Sequence, residues 1–305
     1  MSSVAFVFPG QGSQAVGMGH DLFENSPEAK QVFEEADEAL GFSLSSLCFD
    51  GPEEELRQTV NTQPAIMTAS VACLRAAQAN GCDIQPAFVA GHSLGEYSAL
   101  VAAGSLSFAD GICLIQERAR LMQRAGEEWP GGMAAVIGLD VVSLEEVCQE
   151  TGTQIANLNS PEQVVISGTN QGLAWAMDLA KTRGAKRVIR LKVSGAFHSP
   201  LMNPAAEGLA RAVCKCEFFP PTIPVVANVT AEPKSTAEEV KEGILKQVCD
   251  CVRWQPSVEY MIDAGVSTFI EIGPGQVLTG LIKRINRDVE LINLNNLDSI
   301  AAMSH

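Results

Sequence analysis

The chain has 305 residues, 46% of them hydrophobic and 19% charged, which is the balance of a folded globular protein and excludes a disordered one. Its net charge of −15 repels phosphate polymers, so we expect neither nucleic acid nor a membrane as a partner. The apolar runs are too short to span a bilayer, and no Lys or Arg precedes Lys30. We therefore expect a cytoplasmic protein without a membrane anchor or targeting peptide.

The nine cysteines are an odd number, and they are scattered apart from two C-x-C pairs. These pairs are Cys214-x-Cys216 and Cys249-x-Cys251, and neither has the spacing of a zinc site. We predict free thiols in a reducing compartment and no metal site.

Short apolar runs alternate with helical patterns in the first part of the chain. Strands are predicted at 4–8 and 87–91, and helices at 28–40, 63–80, from Ser93 to Gly104, and 107–126. Further strands are predicted at 222–230 and 268–275. This alternation is typical of an α/β fold with a parallel sheet covered on both faces.

The segment from about 130 to 195 follows a different pattern, in the order β-α-β-β-α-β. Its strands are predicted at 132–139, 153–159, 163–168 and 185–193, and its helices at 143–150 and 171–184. This order is that of a ferredoxin-like fold. We therefore predict a small ferredoxin-like domain, residues 128–195, inserted into a large α/β domain of residues 1–127 and 196–305.

A serine stands between two glycines at the junction of a predicted strand and helix, in Gly91-His92-Ser93-Leu94-Gly95. Gly-x-Ser-x-Gly in this context is the nucleophile-elbow pattern of hydrolase-like α/β proteins. The pattern predicts Ser93 as a nucleophile, and the backbone N–H of Leu94 as a donor to the oxyanion. The alternative is a serine that only caps a helix.

A serine nucleophile needs a base, and the chain has only four histidines. His305 is terminal, His20 lies in a polar stretch, and His92 adjoins the serine, so we predict His198 as the base. The group that would orient it stays open between Asp263, Glu271 and a backbone carbonyl.

The loop Gly10-Gln11-Gly12 follows the first predicted strand. Its glycines would let the backbone N–H of Gln11 approach an oxyanion as the second donor. A dinucleotide-binding fingerprint, with Ala15 at its third small position, and a plain turn are the alternatives.

Two groups of basic residues stand out. Arg118 lies in the middle of an apolar helical stripe, where it would either form an internal ion pair or bind a substrate carboxylate through two hydrogen bonds.

The segment 181–192 holds six basic residues and no acidic one. It is either a solvated face or a binding site for an acidic partner or for a cofactor's phosphates. Its candidates for docking are Lys181, Arg183, Lys186, Arg187 and Arg190.

Several motifs together resemble the malonyl-CoA:acyl carrier protein transacylase family over nearly the whole chain. They are FVFPGQGSQ, NTQPAI, GHSLGEYSAL, QERARLMQ, ANLNSPEQVVISG, FHSPLM, VRWQPSVEYM and IGPGQVLTGL. The family's fold is a hydrolase-like domain with a ferredoxin-like insertion.

The resemblance implies roles for individual residues. Ser93 is the acylated nucleophile, His198 its base, and Gln11 and Leu94 the oxyanion donors, while Arg118 binds the malonyl carboxylate. The backbone carbonyl of Gln247 would orient the histidine. The remaining pocket positions are Gln63, His92, Met122 and Asn159, together with Phe197, which resembles the pattern of malonyl-selective relatives.

The expected reaction is a two-step transfer of malonyl from malonyl-CoA to the phosphopantetheine thiol of acyl carrier protein, for fatty acid synthesis. The expectation includes no bound metal or redox cofactor and a monomeric enzyme. The alternatives are a serine thioesterase or esterase, a polyketide-type acyltransferase acting in trans, and a catalytically silent scaffold that binds carrier protein.

Overall fold

The structure, a computed structural model, describes residues 3–303, so that His305 lies outside the described residues. Within that range there are ten strands: β1 (Ser3–Phe8), β2 (Phe88–Gly91), β3 (Gly131–Ile137), β4 (Gln154–Ser160), β5 (Gln163–Thr169), β6 (Arg187–Arg190), β7 (Val225–Val226), β8 (Pro233–Lys234), β9 (Val266–Ile272) and β10 (Glu290–Leu294).

Fourteen α-helices accompany these strands in the described part of the chain. They are α1 (His20–Asn25), α2 (Pro27–Leu40), α3 (Leu44–Asp50), α4 (Glu53–Leu56), α5 (Thr59–Ala79), α6 (Gly95–Ala102), α7 (Phe108–Glu128), α8 (Val141–Thr151), α9 (Asn170–Thr182), α10 (Asn203–Val213), α11 (Ala237–Gln247), α12 (Trp254–Asp263), α13 (Val277–Ile285) and α14 (Leu297–Met303). A short 3-10 helix spans Pro200–Met202.

The large sheet has the strand order β10-β9-β1-β2-β7-β8, and all its pairs are parallel except β7 with β8. Its central strand is apolar on both sides because helices cover both faces. Phe6 and Phe8 pack into one hydrophobic cluster, whereas Ala5 and Val7 pack into a second one. This confirms the predicted α/β fold with a parallel sheet.

The small sheet has the order β4-β5-β3-β6 and is antiparallel throughout. With α8 and α9 it forms the β-α-β-β-α-β unit that the sequence predicts, so the ferredoxin-like fold is confirmed. These elements run from Gly131 to Arg190, inside the interval 128–195. The domain boundaries themselves stay a prediction.

The small sheet is buried on both faces, and this fixes it against the large domain. Ala134 and Val136 of β3 pack on the small domain's own helices, whereas Met133 and Ala135 belong to the main hydrophobic cluster of the large domain. Val252 of the large domain joins the edge of β4 through two backbone hydrogen bonds of 2.8 and 2.9 Å.

The predicted strand 222–230 is wrong in length, since only Val225–Val226 pairs with β2. Pro224 cannot donate a backbone hydrogen bond, and the chain turns away at Ala227 to place Asn228 beneath the serine turn. The predicted strand 185–193 also shortens, to Arg187–Arg190. The predicted helix 63–80 begins four residues earlier than expected and encloses Pro64.

Other features of the described residues bear on the sequence predictions. All nine cysteines lie in the described range and are free thiols. Between residues 3 and 303, no group of three or more His, Cys, Asp or Glu side chains is placed to hold a metal ion. No helix in the same range has both the length and the hydropathy needed to cross a bilayer.

Candidate active site

The turn between β2 and α6 has the geometry of a nucleophile elbow. Ser93 has a φ of 52°, in the left-handed region that a residue with a side chain rarely occupies. A Cβ on Gly91 would lie 2.0 Å from the carbonyl group of Gly95, and one on Gly95 would lie 2.2 Å from the carbonyl oxygen of Phe8. Both glycines are therefore required sterically, as the sequence argument expected.

His198 lies beside this serine. Its Nε2 is 2.8 Å from the Ser93 Oγ, and its Nδ1 is 2.7 Å from the backbone carbonyl oxygen of Gln247. A carbonyl can only accept, so Nδ1 carries the hydrogen and the lone pair of Nε2 faces the serine hydroxyl.

Neither carboxylate considered for orienting the histidine is in contact with it. Asp263 is exposed at the end of α12. Glu271 is buried but accepts hydrogen bonds from the backbone N–H groups of Leu278 and Thr279, at the start of α13. The backbone carbonyl was the remaining alternative, and it is the arrangement observed.

The imidazole of His198 is held in its neutral form. Burial, followed by the positive charge of Arg118, lowers the pKa of His198 to about 3. A neutral imidazole can accept a proton at neutral pH without first losing one.

We expect this neutral state to persist in acid. Between about pH 8 and pH 5, the ring-nitrogen NMR shifts of His198 should stay those of a neutral imidazole, because the folded pKa lies below this window. The unfolded chain protonates the same ring below a pKa of 6.5, so this residue makes folding less favourable as pH falls from 6.5 towards 3. A titration midpoint near pH 6.5 for His198 in the folded protein would contradict this expectation.

Arg118 reaches the serine from α7 and is only 1% exposed. Its Nη1 donates to Oε1 of Gln63, and its Nη2 donates to Ser93 Oγ at 3.1 Å and to Oε1 of Gln247 at 2.9 Å. No carboxylate oxygen in residues 3–303 lies within 4.0 Å of the guanidinium nitrogens of Arg118, which is the distance that an ion pair requires. The structure thus disfavours the internal ion pair, and leaves a buried guanidinium with neutral partners beside the hydroxyl.

These groups meet at one cavity of about 100 Å³. Most predicted site residues line it: Gln11, Gln63, His92, Ser93, Leu94, Arg118, Met122, Phe197 and His198. Asn159 lies one step away, with its Oδ1 2.8 Å from Nε2 of His92. The loop around Gln11 forms turns until α1 begins at His20, so no helix opens where a dinucleotide fingerprint requires one.

Four lining residues were missed by the sequence argument, and all come from the small domain or its exit. They are Met133, Asn157, Leu191 and Val193. The available signal was that β3 is apolar on both faces, since a free ferredoxin-like sheet would have one polar face. A sheet buried on both sides must cover another part of the protein, and here it covers the serine.

The structure does not present the predicted basic residues of 181–192 as one free cluster. Lys181 pairs with Asp178, and Arg183 pairs with both Glu146 and Glu150. Arg190 donates to the side chain of Asn170.

The other two basic candidates, Lys186 and Arg187, are exposed, and neither has an ion-pair partner in the described range. Arg187 and Ile189 share one face of β6, and Ile189 lies opposite Ala135, on the side that packs against the large domain.

A parallel α/β sheet that carries a strained serine at a strand-to-helix turn is the architecture of the serine-dependent acyl-transfer enzymes. Comparisons with known proteins place the chain in the same class of enzymes. The acyl transferase domain family matches residues 5–297. The chain is 48% identical over 305 residues to the malonyl CoA-acyl carrier protein transacylase of Bacillus subtilis, covering 98% of this chain and 96% of that protein.

Solved structures are similar over the same extent. The acyl-carrier-protein-S-malonyltransferase of Bartonella henselae has a TM-score of 0.96 at 43% identity, covering 98% of each chain. A malonyl-transacylase solved in complex with a type II PKS acyl-carrier protein has a TM-score of 0.96 at 44% identity, covering 99% of each chain. The chain therefore belongs to the acyl transferase domain family, among the malonyl CoA-acyl carrier protein transacylases.

Proposed function

We propose that this enzyme moves a malonyl group from malonyl-CoA to the phosphopantetheine thiol of acyl carrier protein, through a malonyl ester on Ser93. The observation that carries this proposal is the buried guanidinium of Arg118, 3.1 Å from the nucleophile and without a carboxylate partner in residues 3–303. A substrate whose acyl group ends in a free carboxylate supplies the missing charge, with both its oxygens in reach of one planar fork.

In the first half-reaction Ser93 Oγ attacks the thioester carbonyl while His198 Nε2 takes the hydroxyl proton. The negative charge on the carbonyl oxygen is stabilised by the backbone N–H groups of Gln11 and Leu94. When the C–S bond breaks, the proton on His198 passes to the CoA sulfur, which leaves as a thiol.

The second half-reaction repeats these steps in reverse. The carrier's thiol gives its proton to His198 and attacks the malonyl ester, and the ester oxygen of Ser93 receives that proton as the C–O bond breaks. Gln247 keeps the imidazole oriented in both halves through its backbone carbonyl. We propose that Gln63 holds Arg118 and that Phe197, Met122 and His92 bound the acyl pocket, with Asn159 acting through His92.

These steps are proton and acyl transfers, for which the named side chains suffice, so we propose no bound metal or redox cofactor. The nine free cysteines are consistent with the proposed cytoplasmic location. The monomeric state stays a prediction.

A thioesterase or esterase is the competing function, and the same guanidinium disfavours it. A simple hydrolase gains nothing from a buried cation next to its nucleophile unless its substrate carries an anion. The test is a two-stage reaction in which the enzyme receives malonyl-CoA and then carrier protein. We expect CoA release followed by malonyl on the carrier, whereas free malonate without loaded carrier would indicate a hydrolase.

We further propose that acyl carrier protein, which is acidic in this family, docks on the basic run, with Lys186 and Arg187 contributing most. The support is that both are exposed without an ion pair in the described range, whereas Lys181 and Arg183 already face acidic side chains. Lys181, Arg183 and Arg190 are secondary contributors.

Charge reversal tests this surface. Arg187→Glu should raise the KM for carrier protein by about threefold to tenfold, most at low salt, and leave acylation by malonyl-CoA alone unchanged. Lys181→Glu is the matched control in the same run and should have a smaller effect. An unchanged carrier KM in Arg187→Glu would refute the docking proposal.

A further inference from the structure

Beneath the serine turn lies a second layer of buried polar side chains, which the proposed mechanism does not use. Glu96 is the third residue after Ser93 and is only 3% exposed, although it carries an acid group. Asn228 is fully buried, and so is the side chain of Gln247. A buried carboxylate is costly unless it is hydrogen-bonded, so its partners indicate why it is there.

Asn228 holds the strained turn from both sides. Its Nδ2 donates to the carbonyl oxygen of Gly91 at 2.7 Å, and its Oδ1 accepts the backbone N–H of Ser93 at 2.7 Å. Because one end must donate and the other must accept, these contacts fix the orientation of the Asn228 amide.

The amide of Gln247 joins this layer to the active site. Its Nε2 donates to Glu96 Oε2 at 2.6 Å and to the carbonyl oxygen of Ser93 at 2.9 Å, and lies 3.3 Å from Asn228 Oδ1. Its Oε1 accepts from Arg118 Nη2 at 2.9 Å. One neutral amide therefore connects a buried carboxylate to the buried guanidinium, with each end facing the partner of opposite character.

We propose that Glu96 is a positioning residue, which acts through the Gln247 amide to hold Arg118 where it binds the substrate carboxylate. Glu96 Oε2 accepts from Gln247 Nε2 and also from the backbone N–H of Asn228 at 3.2 Å. The Nε2 end of Gln247 therefore faces Glu96, and its Oε1 end faces Arg118. Burial raises the pKa of Glu96 to about 7, whereas its hydrogen bonds and the positive charge of Arg118 oppose that rise. This inference rests on the proposed function, since Arg118 must bind a malonyl carboxylate.

Glu96→Gln is the decisive variant because it keeps the shape but removes the charge and adds a donor. Its new amide can accept either orientation of Gln247, so that Arg118 loses its fixed partner. We expect the KM for malonyl-CoA in acylation of Ser93 to rise about tenfold, as for a lost hydrogen bond to a charged group. The rate of inactivation by phenylmethylsulfonyl fluoride, which needs Ser93 and His198 but carries no carboxylate, should change less than about twofold.

Glu271→Gln is the matched control, because Glu271 is also a fully buried glutamate but accepts only from the start of α13. Glu271→Gln should lower the melting temperature of the protein, but it should change neither the KM for malonyl-CoA nor the rate of inactivation by phenylmethylsulfonyl fluoride. An unaltered malonyl KM in Glu96→Gln overturns the inference, as does a parallel fall of both activities that follows the loss of folded protein.

If Glu96→Gln does not fold, the same measurements on Glu96→Asp test the inference. Its carboxylate is one methylene too short to reach Gln247, so the malonyl KM should again rise, and an unchanged KM overturns the inference. Failure of the proposed function is distinguishable, because the unsubstituted enzyme would then form no malonyl ester at all.

Discussion

Replacing His198 with alanine should lower kcat/KM for malonyl transfer by about 10⁴-fold or more. The imidazole Nε2 lies 2.8 Å from the Ser93 hydroxyl, and the low pKa of His198 keeps the ring neutral, with the Nε2 lone pair facing that hydroxyl. Without it, the hydroxyl must ionise unaided, which is unfavourable at neutral pH. Steady-state transfer with malonyl-CoA and carrier protein measures the effect.

His92 provides the control for this substitution, since it is a second histidine on the same cavity. Its Nε2 faces Asn159, so it is not placed to take the serine proton. His92→Ala should therefore cost about tenfold, far less than His198→Ala. If His198→Ala retained a tenth of the activity, a different base would have to be found.

Replacing Arg118 with methionine should lower kcat/KM for malonyl-CoA by about 10²- to 10³-fold, which is the cost of leaving a buried carboxylate without its partner. Reaction with acetyl-CoA, which has no free carboxylate, should stay the same or increase. The variant should fold, because methionine is a flexible apolar side chain that suits the apolar stripe of α7. The rates at which malonyl-CoA and acetyl-CoA acylate Ser93, measured in both the variant and the unsubstituted enzyme, give the change in preference between the two substrates.

Arg120 on the same helix is the control for that experiment. It is exposed and paired with Glu117, and Arg120→Met should change neither rate by more than about twofold. Equal losses with malonyl and acetyl thioesters in Arg118→Met would mean that the guanidinium supports the site without recognising the substrate.

The parts of the site that the sequence predicted are those with local causes. Gly91 is required by a clash with Gly95, four residues along the chain, so the motif itself predicts this part of the turn, whereas the clash that requires Gly95 is with Phe8 of β1. Arg118 was found because a charge at an apolar helical position needs a partner wherever the helix packs. The fold class followed from the two periodicities of strand and helix, which are also local.

The parts that the residues themselves could not predict depend on which distant segments the sheet order brings together. Asn228 was missed, and Gln247 was named only through the family resemblance. Both lie more than a hundred residues from Ser93 along the chain, and they reach it because β7 pairs with β2 and α11 follows. No pattern near Ser93 predicts such contacts.

Glu96, however, did leave a signal in the sequence. It is the only charged residue of α6, in a run that is buried from Gly95 to Val101. Like Arg118, it is an ionisable side chain at a buried helical position, which indicates a buried partner, and the two side chains are joined through Gln247.

The central claim is the malonyl ester on Ser93, and the intact mass of the enzyme after brief exposure to malonyl-CoA tests it most directly. The account predicts the gain of one malonyl group, no gain in Ser93→Ala, and transfer of that group to acyl carrier protein when it is added. A protein that gains no malonyl group, or one that gains it equally in Ser93→Ala, would contradict the account.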